Sequence, residues 1–157
     1  MLKWFKMEES GVFYGEYSHT IDKKNRVIIP SKFRETLREK GIEKLYITRG
    51  LDKCLFMFPE SQWKIQEQKF KAMPFTKSEV RKFTRQFFGG AQEIEPDRQW
   101  RILIPDYLKG YADLTRDIKI LGVADRIEIW DIGKWEKFYG ASRERYEEIA
   151  ENLMDLE

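Results

Sequence analysis

The chain of 157 residues carries 29 Lys and Arg against 27 Asp and Glu, a net charge of +2, and is 41% hydrophobic and 15% aromatic; this suits one domain, or two small intertwined halves, with a real core. The single cysteine, Cys54, excludes an intrachain disulfide and a cysteine-cluster zinc site, and no apolar run approaches the ~18 residues of a membrane helix. The charge is uneven: residues 144–157 hold six acids and one base, leaving +7 on the rest, a balance that allows a polyanionic partner without demanding one.

Residues 1–10 lack the apolar core of a signal peptide and predict a loose leader on a soluble cytoplasmic protein. Val12 to Ile21 is rich in aromatic and β-branched residues and predicts a strand, with Gly15 marking a bulge or a close backbone approach. Asp22 to Asn25 predicts a turn in which Asn25 tolerates positive φ, and Arg26 to Ile29 the returning strand. Pro30 suits the first position of a short helix over residues 31–40, with Phe33 and Leu37 inward and Gly41 as its stop. Leu45 to Thr48 and Leu55 to Phe58 predict two strands joined through residues 49–53, and Cys54 reads as a buried small hydrophobe. Pro59 opens a helix with Trp63, Ile65 and Phe70 as its apolar positions, and Pro74 ends it. Thr76 and Glu79 form a capping box for a further helix, whose Val80, Phe83, Phe87 and Phe88 make a core-facing stripe.

The chain then repeats itself. D-x-x-x-R, three β-favouring aliphatic residues and a proline occur from Asp22 to Pro30 and again from Asp97 to Pro105, at a constant offset of 75 residues that Gly15 and Gly90 share. A register kept over so many positions marks an internal duplication. Ala91 to Glu95 predicts a strand, Asp97 to Trp100 a turn, Arg101 to Ile104 a strand, and Pro105 opens a short helix with Tyr107, Leu108 and Tyr111. Ile118 to Leu121 and Ile127 to Trp130 are strands joined through residues 122–126. Gly122 matches Gly50 and Trp135 matches Trp63 at an offset of 72, so three residues are lost after the second proline, most economically from the short helix and its exit. Asp131 is placed to cap a last helix along which Phe138, Ala141, Arg145, Ile149 and Leu153 run, polar enough elsewhere to be exposed or partner-facing.

Each half therefore reads strand, turn, strand, short helix, strand, strand, helix. The expected fold is α+β, a small barrel shared by two tandem pseudo-symmetric halves, because half a barrel cannot bury its own face. The expected units are the leader over 1–10, the first half over 11–75, and a linking helix, second half and C-terminal helix over 76–157.

Little in the chain supports catalysis. The one histidine, His19, lies in mid-strand, Glu16 and Glu95 could face each other but nothing supports a dyad, and nucleotide-binding, metalloprotease and serine-hydrolase motifs are absent. The D-x-x-x-R pairs admit two readings. In one, each Asp caps a hairpin turn and each Arg is an exposed ion-pair partner. In the other, Arg26 and Arg101 point at phosphates or guanine edges, Asp22 and Asp97 fix the turns, and Lys23, Lys24 and Arg98 add phosphate contacts. β-Ribbons are a known way into DNA grooves.

The run Ile21-Asp22-Lys23-Lys24-Asn25-Arg26-Val27-Ile28-Ile29-Pro30, continued by Ser31 to Arg34, resembles the first signature of the MraZ family of bacterial transcriptional regulators. Thr48 to Leu55, Arg101 to Pro105 and Arg126 to Asp131 match as well, and the resemblance spans about Phe13 to Leu153. It implies an AbrB-like, swapped-hairpin, double-split β-barrel with flanking helices. It further implies ring-shaped homo-oligomers, octameric or larger, and a nucleoid-associated protein that binds double-stranded DNA. The DNA would be repeated promoter elements upstream of the division and cell-wall gene cluster. The resemblance places DNA binding on Asp22 and Arg26, and on Asp97 and Arg101, with no cofactor or metal. The alternative is a structural or assembly protein whose hairpins make protein contacts only. The sequence departs from the family at the residue before each motif arginine, where glycine is usual: here stand Asn25 and Trp100. An aromatic residue in the left-handed region is an outlier, so either the second turn differs in shape or Trp100 stacks on something. Local charge and backbone both rank the first hairpin above the second as a DNA contact.

Overall fold

A computed structural model describes residues 12–155; the expected leader over 1–10 lies outside the described residues. Strand β1 (Phe13–Thr20) returns through the Asp22 turn as β2 (Arg26–Ile28). Helix α1 (Ser31–Glu39), the hairpin of β3 (Leu45–Arg49) and β4 (Leu55–Pro59), and helices α2 (Glu60–Lys71) and α3 (Ser78–Phe87) follow. The second half runs β5 (Gln92–Ile94), β6 (Arg101–Leu103), α4 (Asp106–Tyr111), β7 (Asp117–Ala124) and β8 (Ile127–Asp131). It ends in α5 (Ile132–Ser142), a 3-10 turn over Arg143–Arg145 and α6 (Tyr146–Met154).

The halves exchange strands. Six antiparallel strands lie in the order β1-β7-β8-β4-β3-β5, and β2 pairs with β6 in a separate ribbon. The first strand of each half pairs with the third strand of the other, β1 with β7 and β5 with β3. The ribbon is centred on the pair Val27–Ile102, and the β4–β8 pairing on Phe56–Glu128. Interchanging the halves maps each register onto itself, so the duplication read from the sequence is a pseudo-two-fold axis through these two pairs.

Alternation along the strands decides what lies inside. Val27, Ile29, Ile102 and Ile104 point into one core, closed by Phe33 and Leu37 of α1 and by Leu108 and Ala112 around α4. Burying each large aliphatic side chain is worth about 1.5–3 kcal/mol, and this stripe is therefore what holds the ribbon on the sheet. A second, aromatic core joins Phe56 and Phe58 of β4 to Trp63 and Phe87, with Trp63 stacked on Tyr46 at 5.3 Å. Phe70 stacks on Phe83 at 4.9 Å and extends that cluster, whereas Ile65, the third apolar position of α2, is exposed.

The element ends differ from the sequence expectations in instructive ways. Pro30, Pro59 and Pro105 sit one residue before their helices, in extended conformation, and not at the first helical position. The carbonyls of Pro30 and Pro105 still accept the first helical bonds, from Arg34 and Lys109. Thr76 caps nothing: α3 starts after Lys77, Glu79 pairs with Lys82, and Arg81 holds the Phe75 and Thr76 carbonyls outside the helix. The three-residue deficit falls inside the short helix, nine residues long in α1 and six in α4. Both helices end in the same Schellman geometry, with Gly41 at φ 63° in the first and Asp113 at φ 49° in the second. The C-terminal helix is not continuous but turns at Arg143–Arg145.

β7 also runs further than expected, through Gly122 to Ala124, because β1 pairs with it along its whole length. Gly122 therefore lies in a strand opposite Ile127, where the first half has Arg49 opposite Leu55, and Gly50 is not its structural match. Gly15 faces Gly122 with the register unbroken, so there is no bulge. At Gly122 a Cβ would lie 2.5 Å from the Phe13 carbonyl carbon and the Tyr14 nitrogen. Gly122→Ala is thus expected to lower stability by about 1–3 kcal/mol through overpacking, read as a lower urea midpoint. An unchanged midpoint would show that β1 yields freely.

Candidate nucleic-acid interface

The spacing D-x-x-x-R has a geometric cause. The Asp22 carboxylate accepts from the backbone N–H of Lys24 and of Arg26, both at 2.9 Å, while its other oxygen accepts from Arg26 Nε at 2.8 Å. The Asp97 carboxylate does the same with Gln99 and Arg101, all three bonds at 2.9 Å. One side chain thus closes the turn and aims the arginine four residues on. Each guanidinium keeps its terminal N–H groups, which carry no hydrogen bond among the described residues. Arg26 and Arg101 are only 31% and 26% exposed along the side chain, less than the sequence reading supposed.

Both turns place the residue before the arginine in the left-handed region, Asn25 at φ 61° and Trp100 at φ 60°. The second turn does not differ in shape. Trp100 packs against the main core with the Arg38 guanidinium 5.6 Å from its ring centroid. Asn25 donates to Asp106 at 2.6 Å and accepts from Lys109 at 2.9 Å. In both cases the side chain is anchored on the short helix of the opposite half. The backbone therefore gives no ground for ranking one hairpin above the other, which corrects that part of the sequence argument.

The ribbon brings the two turns together. Arg26 lies opposite Leu103 and Arg101 opposite Ile28, with Val27 and Ile102 turned into the core. Lys23, Lys24 and Arg98 are exposed at the tips. The flanks differ in charge. A hollow beside the first turn is lined by Lys23, Lys109 and Arg116 against one acid, Asp22. The corresponding hollow beside the second is lined by Glu43, Glu95 and Asp97 against one base, Arg98. Lys109 and Arg116 were not legible as site residues, because only the strand exchange carries second-half residues to the first hairpin.

The remaining candidates are quiet. His19 is half-buried in β1, and burial followed by the charge of Arg34 lowers its pKa. Glu16 reaches Lys119. Cys54 is buried, its thiol 3.1 Å from the Leu51 carbonyl and its pKa pushed far above the ordinary thiol range by burial. Among the described residues no helix is long and apolar enough to cross a membrane.

Two aspartate-clamped arginines thus stand on one two-fold β-ribbon. The sequence profile described as "MraZ protein, putative antitoxin-like" matches the chain twice, over residues 12–86 and 87–157. The chain is 49% identical over 145 residues to "Transcriptional regulator MraZ" from Carboxydothermus hydrogenoformans, an alignment covering 92% of this chain and 99% of the relative. This chain belongs to the MraZ family, a family of transcriptional regulators and not of enzymes. A solution structure of PHS018 from Pyrococcus horikoshii aligns with a TM-score of 0.33 and 13% identity, over 71% of this chain and 91% of that one, a score too low to bear on the fold.

The clamps give the fold a pH dependence. The backbone hydrogen bond from Arg26 is the largest cause lowering the Asp22 pKa, and that from Arg101 the largest lowering Asp97, in each case below the ordinary 3.8. The folded state then holds fewer protons than the unfolded one between the two values. The stabilisation is fully present above the ordinary value and lost as pH falls through the lowered folded ones. The double variant Asp22→Asn, Asp97→Asn is expected to be less stable at neutral pH, with a shallower acid decline in urea midpoint. A wild-type decline in that variant would show that the turns do not couple to folding.

Proposed function

We propose that this protein is a transcriptional regulator that binds double-stranded DNA sequence-specifically through the β2–β6 ribbon. The observation that carries this reading is the pair of clamped arginines, Arg26 and Arg101, presented on one outward face in two-fold register. Pre-aimed guanidinium forks suit guanine O6 and N7, or phosphate, at little ordering cost. Lys23, Lys24 and Arg98 supply phosphate contacts, and Lys109 and Arg116 extend them beside the first hairpin. The strand exchange supports the swapped-hairpin, double-split barrel of AbrB-like proteins as the frame for this ribbon. Family membership supports repeated promoter elements upstream of the division and cell-wall cluster as the target, and a cytoplasmic, nucleoid-associated location.

Repeated DNA elements favour a repeated binder, because linked ribbons bind at high effective concentration. Tyr146, Leu153 and Met154 on α6 are 74%, 62% and 72% exposed, an apolar surface that supports assembly into a ring through the C-terminal helix. Light scattering during size exclusion should give a mass several times 19.0 kDa. A monomer at micromolar concentration would overturn the ring.

Fluorescence anisotropy with labelled promoter DNA should show a complex that weakens steeply with salt, since counterion release drives much of such binding. Salt-insensitive or absent binding would favour hairpins that make protein contacts only. The basic first flank and acidic second flank rank the hairpins. Arg26→Ala is expected to lower affinity by about tenfold per ribbon or more, and beyond detection in an assembled ring, with Arg101→Ala less damaging. Because both side chains are half-buried, circular dichroism and light scattering must show unchanged fold and assembly. A larger loss from Arg101→Ala would reverse the ranking.

A further inference from the structure

The outward face of the ribbon carries more than its arginines. Strand alternation puts Arg26, Ile28, Arg101 and Leu103 on that face, and Ile28 and Leu103 are 44% and 60% exposed. They occupy the same position in the two halves, and both halves keep a long aliphatic side chain there. The turns have meanwhile diverged, from Lys23 to Arg98, Lys24 to Gln99 and Asn25 to Trp100. Strand propensity accounts for Ile28 but not for Leu103, which is not β-branched. The register sets each aliphatic residue directly opposite the arginine of the other half.

We propose that Ile28 and Leu103 read thymine C5-methyl groups in the major groove, each beside the base engaged by the arginine opposite it. This rests on the DNA-binding reading above. Neighbouring strands lie about 4.8 Å apart and successive base pairs about 3.4 Å. An arginine and the aliphatic residue across from it therefore fall on adjacent base steps. The guanidinium fork takes guanine O6 and N7, and the aliphatic chain meets the methyl group that alone gives thymine an apolar major-groove edge. Lys23, Lys24 and Arg98 beside the patch suit a polyanion better than the apolar face of a protein. The two units are related by the pseudo-two-fold axis, so the pattern they read is an inverted one.

The test uses the full chain and a DNA site selected by it from a random pool, with each thymine in turn replaced by deoxyuridine, which removes only the methyl group. Wild-type protein should lose about fourfold in affinity at the thymines that are read, one buried methyl each. Ile28→Ala and Leu103→Ala should bind unsubstituted DNA weaker by about that factor and show no further loss at their own thymine. A wild-type chain that selects no site overturns the DNA-binding reading itself. Binding that ignores every deoxyuridine overturns only the methyl readout, as does a variant that keeps wild-type sensitivity. A change of mass in light scattering on Ile28→Ala or Leu103→Ala, with deoxyuridine sensitivity unaltered, assigns the face to a contact between copies and overturns the proposal.

Discussion

The carbonyl of the left-handed residue in each turn accepts a hydrogen bond from the opposite half: Asn25 from Ile104 at 2.7 Å, and Trp100 from Ile29 at 2.8 Å. A left-handed residue is needed to aim that carbonyl across the ribbon. For a residue with a side chain this conformation costs about 1–2 kcal/mol. A hydrogen bond returns about 1 kcal/mol, and the anchoring of Asn25 on Asp106 and Lys109, or of Trp100 beneath Arg38, offsets the remainder. The clamped arginines, the ribbon register and the core beneath Val27 and Ile102 all depend on the turns being held this way.

On this shared frame the halves have gone separate ways. Ile21 donates its N–H to the Arg116 carbonyl, but the equivalent residue, Pro96, has no N–H to give; the residues that match the start of β1 are taken up by the end of α3 and its turn, which leaves β5 shorter than β1. At the centre of the β4–β8 pairing Phe56 is matched by Glu128, a buried carboxylate that accepts from Trp130 Nε1 at 3.0 Å and pairs with Arg126 at 2.8 Å. The Arg126 guanidinium lies 4.5 Å from the Phe56 ring centroid, so the unlike residues are reconciled by one cation. The flanks of the two turns, basic and acidic, are the same divergence at the surface. A dimer of identical halves could not differ in this way.

Repetition made much of this legible in the sequence. Residues kept at one offset mark what both halves need: the aspartate clamp, the arginine, the inward aliphatic pair and the proline before the helix. Local rules did worse where a competing partner intervenes. Thr76 has the right neighbours for a cap, but Arg81 holds the carbonyls before the helix and delays its start. Trp100 was rightly an outlier by backbone statistics; its resolution lies on Arg38, sixty-two residues earlier in the chain and in the other half. The strand exchange has no local signature; the family resemblance implies it, but not that it sets Lys109 and Arg116 beside the first hairpin.

The exchange also bears on how the chain is made. β1 leaves the ribosome well before its partner β7, and Phe13 must wait for Ala124. Contacts of such long sequence separation form late, after loop closure has been met. The nascent first half therefore emerges with β1 unpaired and with the β3 edge open until β5 arrives. Its Asp22 turn, whose carbonyl at Asn25 is met by Ile104, is assembled only after the second half has reached β6. A chain cut short before Ile104 leaves no competent ribbon behind.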